Sequence, residues 1–192
     1  MKLRKLPHPD PDGSALYYSV HAAHRDNAIT LAIDVLRDAC KREVEATPDD
    51  NLGKEFSTTA CDWAIESLIQ GGWMREFHMW ELATKAYFDG QHLRNGAAKV
   101  DWKKRPPRGA PAASHVDKVK AQLGLFGASV PGGAIDAIDR ARNQVNAAKH
   151  EEEIFVTEAG YRELVAAVAT FWDALELQEA FTPPVSIASK SS

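Results

Sequence analysis

The chain has 192 residues, a formal net charge of −4 and 44% hydrophobic residues. That length and balance suit one globular domain with a self-sufficient core. The acidic balance excludes a general nucleic-acid-binding surface, which would be basic, though not a local basic site.

Residues 1–13 carry three prolines and a glycine and read as an extended N-terminal arm. They lack the apolar run of a signal peptide. From Ser14 the pattern turns helical, with Ala28, Leu31, Ile33, Val35, Leu36 and Cys40 near one broad stripe. Pro48 and Gly53 in "TPDDNLG" end this helix. "KEFSTTACDWAIESLIQ", with Trp63, Ile65 and Leu68, is a second helical segment, and Gly71-Gly72 reads as its break. In the third, Trp73, Phe77, Trp80, Ala83, Thr84 and Tyr87 recur with a helical period. Asn95-Gly96 fits its stop.

Residues 96–114 form a long loop, in which "KVDWKKRPPRGAPAAS" has five basic residues, three prolines and one acid. It reads first as a solvated insertion, with phosphate contact by Lys103, Lys104, Arg105 and Arg108 as the alternative. Ser114 is a candidate N-cap for the short helix "HVDKVKAQLGLF". After "GASVPGG" comes the helix "AIDAIDRARNQVNAAKH". Thr157 is the N-cap candidate of the last helix, whose Leu164, Val168, Phe171, Trp172 and Leu175 make one apolar face. The tail, 182–192, reads as disordered.

These elements predict an all-α protein. A single bundle of about five or six helices spans residues 14–181. Trp63, Trp73, Phe77, Trp80, Tyr87, Phe171 and Trp172 are expected in its core. No run of about 18 apolar residues occurs, so no membrane span is expected. Cys40 and Cys61, without a CxxC partner or metal-ligand neighbours, read as two free thiols of a cytoplasmic protein. His21 and His24 are too few for a metal site, and the single H-x-x-E of His78 and Glu81 does not make a di-iron set. No metal or cofactor is expected.

"RNQVNAAKH", Arg142 to His150, packs an unusual number of polar groups into one helix. With Ile135 as zero and about 100° per residue, Ile138, Ala141, Val145 and Ala148 fall at about 300°, 240°, 280° and 220°. That is the core face. Asp139, Asn143, Asn146 and His150 fall at about 40°, 80°, 20° and 60°, and Arg142, at about 340°, stands on the border. A solvated outer face explains such a stripe. The residue types also suit phosphodiester chemistry: an arginine fork, a histidine that exchanges protons near neutrality, and orienting amides.

"ARNQVNAAKHEEE", followed by an amphipathic helix, resembles the signature of HEPN-domain proteins. In that pattern an arginine and a polar residue precede a histidine by four to six residues. Arg142-Asn143 matches the opening and Lys149-His150 the close, while Glu81 and Lys85 fill an E-x-x-x-K of an earlier helix. Here seven residues separate Arg142 from His150. The resemblance implies an all-α homodimer that cleaves RNA without a metal, through attack of the ribose 2′-hydroxyl. It implies a role as a toxin or in phage defence, with an antitoxin or defence-complex partner. His150 would be the general acid/base, Arg142 the transition-state clamp, and Asn143 would orient the arginine or the substrate. Asn146 joins them from the wheel alone, Glu81 as a polar partner reaching across helices, and Lys149 with the loop cations as RNA contacts. The longer spacing keeps a second expectation open, a non-enzymatic helical interaction or scaffold module on the same fold.

Overall fold

The computed structural model describes residues 14–46, 51–98, 100–103, 113–148 and 156–179. Among them the chain forms five helices and no strand: α1 (Ala15–Ala46), α2 (Asn51–Arg94), α3 (His115–Phe126), α4 (Gly132–Ala148) and α5 (Glu158–Glu179). The expected all-α bundle is what forms. The arm, the tail and the side chain of Ala148 lie outside the described residues.

The helix ends follow their local chemistry. Ser114 caps α3 through a full capping box with Asp117, and Gly127, at φ 64°, closes it. Thr157 Oγ1 accepts from Gly160 N–H at the start of α5. Gly96, at φ 70°, follows the last turn of α2.

The expected break at Gly71-Gly72 does not occur, and two expected helices are one of 44 residues. A glycine inside a helix costs only about 1 kcal/mol relative to alanine. Gly72 has a use that offsets this. A Cβ there would stand 3.2 Å from Ile29 Cγ2, so its absence lets α1 lie close against α2.

α1 and α2 run antiparallel, and α5 lies beside both. Ala15 N–H donates to Glu179, Gln91 donates to the same carboxylate, and Arg37 pairs with Glu158 at the other end of α5. α4 returns antiparallel along α5, with Ser129 meeting Gln178 and Arg140 meeting Glu163. α3 lies on α2, where His92 meets Gln122 and Phe88 stacks on Phe126. Tyr18, Tyr87 and Phe171 surround Trp172 at the centre of the core.

Helix lengths decide what stays outside. α2 is about 66 Å long at 1.5 Å per residue, whereas α5 is about 33 Å. The Arg37–Glu158 pair marks the level where α5 begins. Beyond it α1 and α2 continue as a two-helix hairpin. Cys40 and Cys61 are joined there by a disulfide, with their Cα atoms 5.8 Å apart, so the expectation of two free thiols is corrected. Antiparallel pairing sets the two cysteines at one level on facing sides.

Two readings of the core are corrected as well. Trp63 is 69% exposed, while the other six aromatics expected inside are buried. In α1, Ile33 is buried but Leu31 and Val35 are exposed, so the broad stripe is really an inner and an outer row. No helix among the described residues is long and apolar enough to cross a membrane.

Candidate functional site

The wheel drawn for α4 matches the burial of its residues. Ile135, Ile138, Ala141 and Val145 are buried, Asn143 and Asn146 are exposed, and Arg142 is half-buried at the border. α5 covers the apolar side, which turns the polar stripe outward.

Arg142 is held on its own helix. Its Nη2 donates to Asn143 Oδ1 at 2.7 Å. Its Nε stands 2.9 Å from Asp139 Oδ1, a close ion pair without hydrogen-bond alignment. Ser114's hydroxyl and backbone N–H hold Asp117 below the usual carboxylate range, with the positive fields of Arg142 and Lys120 adding to the effect. Arg142 therefore faces one carboxylate in contact and a second within reach of its field. An incoming phosphate would have to compete with both. Asn143 Oδ1 is thus the acceptor that holds one end of the guanidinium on the helix surface.

The other expected site residues are dispersed. Glu81 lies 3.6 Å from His78 Nδ1, one turn back on α2, and no contact with Arg142 is found among the described residues. Lys103 is exposed, with its backbone N–H on Asp101. Lys104, Arg105, Arg108, Lys149 and His150 lie outside the described residues, so the Arg142–His150 pair has no geometry here. The start of the long loop is not loose. Asp89 Oδ1 accepts from Val100 N–H and Trp102 Nε1–H, and Lys118 donates to the Trp102 carbonyl.

Two buried polar sets escape the sequence reading. Arg25 grips Glu76 with two bonds, 2.7 and 2.8 Å, and Glu76 is only 3% exposed. Next to them Asp26 accepts from Tyr161 and Arg162, joining α1 to α5. Burial, followed by the charges of Asp26 and Glu76, pushes the Tyr161 hydroxyl up. A signal was present: Glu76 stands between Trp73 and Phe77 on the helix's apolar face. A carboxylate there needs a cation, and its bidentate geometry suits arginine.

The second set centres on His115, packed between Trp80 and Trp102. Thr84's hydroxyl faces the carbonyls of Trp80 and Glu81, so His115 Nε2–H donates to Thr84 Oγ1 at 2.8 Å. Burial, with Lys85 and Lys118 nearby, lowers its pKa to about 4. It acts as a neutral strut between α2, α3 and the loop. Among the described residues no three metal-ligating side chains come together.

Fold and site together define an all-α bundle with a projecting, disulfide-linked hairpin. Comparison with protein-family models, with curated proteins and with solved structures finds no match.

Proposed function

We propose that the chain is an α-helical interaction module whose working surface is the hairpin beyond the bundle. One observation carries this. Phe56 and Trp63 are 80% and 69% exposed on one face of α2, while the bundle below has a complete core of its own. Exposed large apolar groups gathered on one element mark contact surfaces. The disulfide supports the reading, because it holds two helices in register where, among the described residues, no third helix braces them. The ion-paired state of Arg142 weighs the same way, against a free anion clamp.

A test follows directly. A photo-crosslinking amino acid is placed at Trp63, and in a control at Gln144, an exposed polar position on α4. In the cells that make the protein, position 63 is expected to give a discrete adduct and position 144 none. Equal yields at the two positions, or none at 63, would reject the interaction surface.

A second reading is favoured by the bond from Arg142 to Asn143. It is the cleavage of RNA that the HEPN resemblance implies, with Arg142 and His150 meeting across a homodimer and an antitoxin or defence-complex partner in control. Purified protein is incubated with RNA in EDTA, beside Arg142→Ala and His150→Ala. Cleavage lost in both variants supports this reading, and cleavage that survives both removes it.

A further inference from the structure

With Leu52 as zero and about 100° per residue, Phe56, Trp63 and Met74 fall within about 40° of it. All four are exposed. They mark one row about 33 Å long on α2, dense in apolar groups at Leu52, Phe56 and Trp63 and interspersed with Thr59, Ser67 and Gln70. The row points away from α1, which packs on the opposite side through Cys61, Ile65 and Gly72. Lower on α2 the same sector is already a helix-docking surface. Phe88 stacks there on Phe126, and His92 bonds Gln122, both from α3. The row therefore continues upward a face on which a helix sits.

The flanks of the row differ. On one side Glu55, Asp62 and Glu66, all exposed, fall at about 280° to 320°. On the other, Gly53, Ala60 and Ser67 make a shallow uncharged edge at about 60° to 100°. A helix lying in this row buries its apolar side and sets one flank against three carboxylates. We propose that residues 52–74 of α2 dock an amphipathic helix of a partner protein, apolar on one face and lysine- or arginine-rich along one flank. The inference rests on the interaction-module reading above and adds the partner's chemistry to it.

Charge separates this occupant from a second copy. In an antiparallel pair of identical helices each flank faces its own copy, so the three carboxylates would meet themselves. In a parallel pair they would meet Gly53, Ala60 and Ser67, which bring no positive charge. Neither arrangement answers the acidic flank. Opposite charge on a partner does, and it also speeds encounter.

The experiment uses the whole oxidised chain and two labelled helical peptides of about six turns. Both carry the same leucine and phenylalanine stripe. One has lysines along a flank and the other glutamates at the same positions. The lysine peptide is expected to bind at least tenfold more tightly. Its affinity should fall at least tenfold in Phe56→Ala/Trp63→Ala, and similarly in Glu55→Gln/Asp62→Asn/Glu66→Gln. Both variants alter exposed positions, and unchanged thermal melts confirm their folding. Equal binding of the two peptides, or binding indifferent to the charge variant, overturns the cationic partner. A dimer in sedimentation that Trp63→Ala dissolves, with neither peptide bound, assigns the row to a second copy. Cosedimentation with anionic phospholipid vesicles that Trp63→Ala abolishes assigns it to a lipid surface. In those last two cases the row still works as a surface. Equal adduct yields at positions 63 and 144, or no adduct from position 63, reject the interaction reading itself.

Discussion

Trp172 and Trp63 are the same residue type, each on an amphipathic helix, with opposite surroundings. Trp172 is fully buried among Tyr18, Tyr87 and Phe171, whereas Trp63 is 69% exposed. The difference lies in the neighbouring elements. α5 runs beside the lower part of the long hairpin and begins at Glu158, level with Arg37. Below that level three helices enclose apolar side chains. Above it the two helices found among the described residues cannot. A periodic apolar face states what a helix can bury, and the length of its neighbours decides what it does bury.

The sharpest break of that comparison is a matched pair of substitutions. Trp172→Ala should cost about 3–5 kcal/mol, since it opens a cavity in a filled core. Trp63→Ala should change stability by less than about 0.5 kcal/mol, since Trp63 is largely exposed among the described residues. Urea denaturation followed by circular dichroism measures both. A large loss from Trp63→Ala would mean that the hairpin is covered in solution, by a second copy or by chain outside the described residues.

Much of this was legible in the residues, and what was not shares one cause. The wheel of α4 puts Ile135, Ile138, Ala141 and Val145 inward and Arg142 at the border, because that depends on one helix alone. Ser114 and Thr157 declare their caps for the same reason. The continuity of α2 through Gly71-Gly72 was hidden, because it depends on Ile29 of another helix coming close. The Cys40–Cys61 pair was hidden behind a sequence separation of 21 residues. It becomes visible once α1 and α2 are folded about the "TPDD" break. The ion pair of Arg142 with Asp139 could be read from their i,i+3 spacing. Asp117's approach from α3 could not. The chemistry expected at His150 is not addressed by the described residues.

The next effect separates the two regions by redox state. Reducing Cys40–Cys61, or replacing Cys40 by serine, releases a loop of 21 residues and should cost about 3 kcal/mol. The loss should fall on the hairpin. Amide exchange should quicken over residues 38–64 and stay slow over 73–88, where Trp73, Phe77 and Trp80 are buried. Uniform acceleration along α2 would show that hairpin and bundle unfold as one unit. The cytosol keeps thiols reduced, so the cytoplasmic location expected from the sequence would leave the hairpin in its looser state.

The smallest effect is a pH dependence that belongs to the bundle and leaves the hairpin alone. His115 is held neutral by burial between Trp80 and Trp102, with Lys85 and Lys118 facing it. Its pKa is about 4 in the fold, against 6.5 when free. Between those values the unfolded chain takes up a proton that the folded chain refuses. The stabilisation is therefore complete above pH 6.5 and shrinks as pH falls towards 4, by on the order of 2 kcal/mol. Below 4 the folded form also protonates and this slope ends. Asp117 and Glu158 are held below their free values of 3.8 and 4.5 by Ser114 and Arg37 respectively, so their share begins to be lost only as pH falls below those values. Protonation would place a third cation beside Lys85 and Lys118, where Trp102 pins the start of the long loop. Trp102 should therefore become accessible to quenchers as pH falls through about 4, while Trp63 is accessible throughout. In His115→Gln the stability slope between pH 6.5 and 4 should flatten. An unchanged slope would mean that another group carries it and that His115 is not the strut between α2, α3 and the loop.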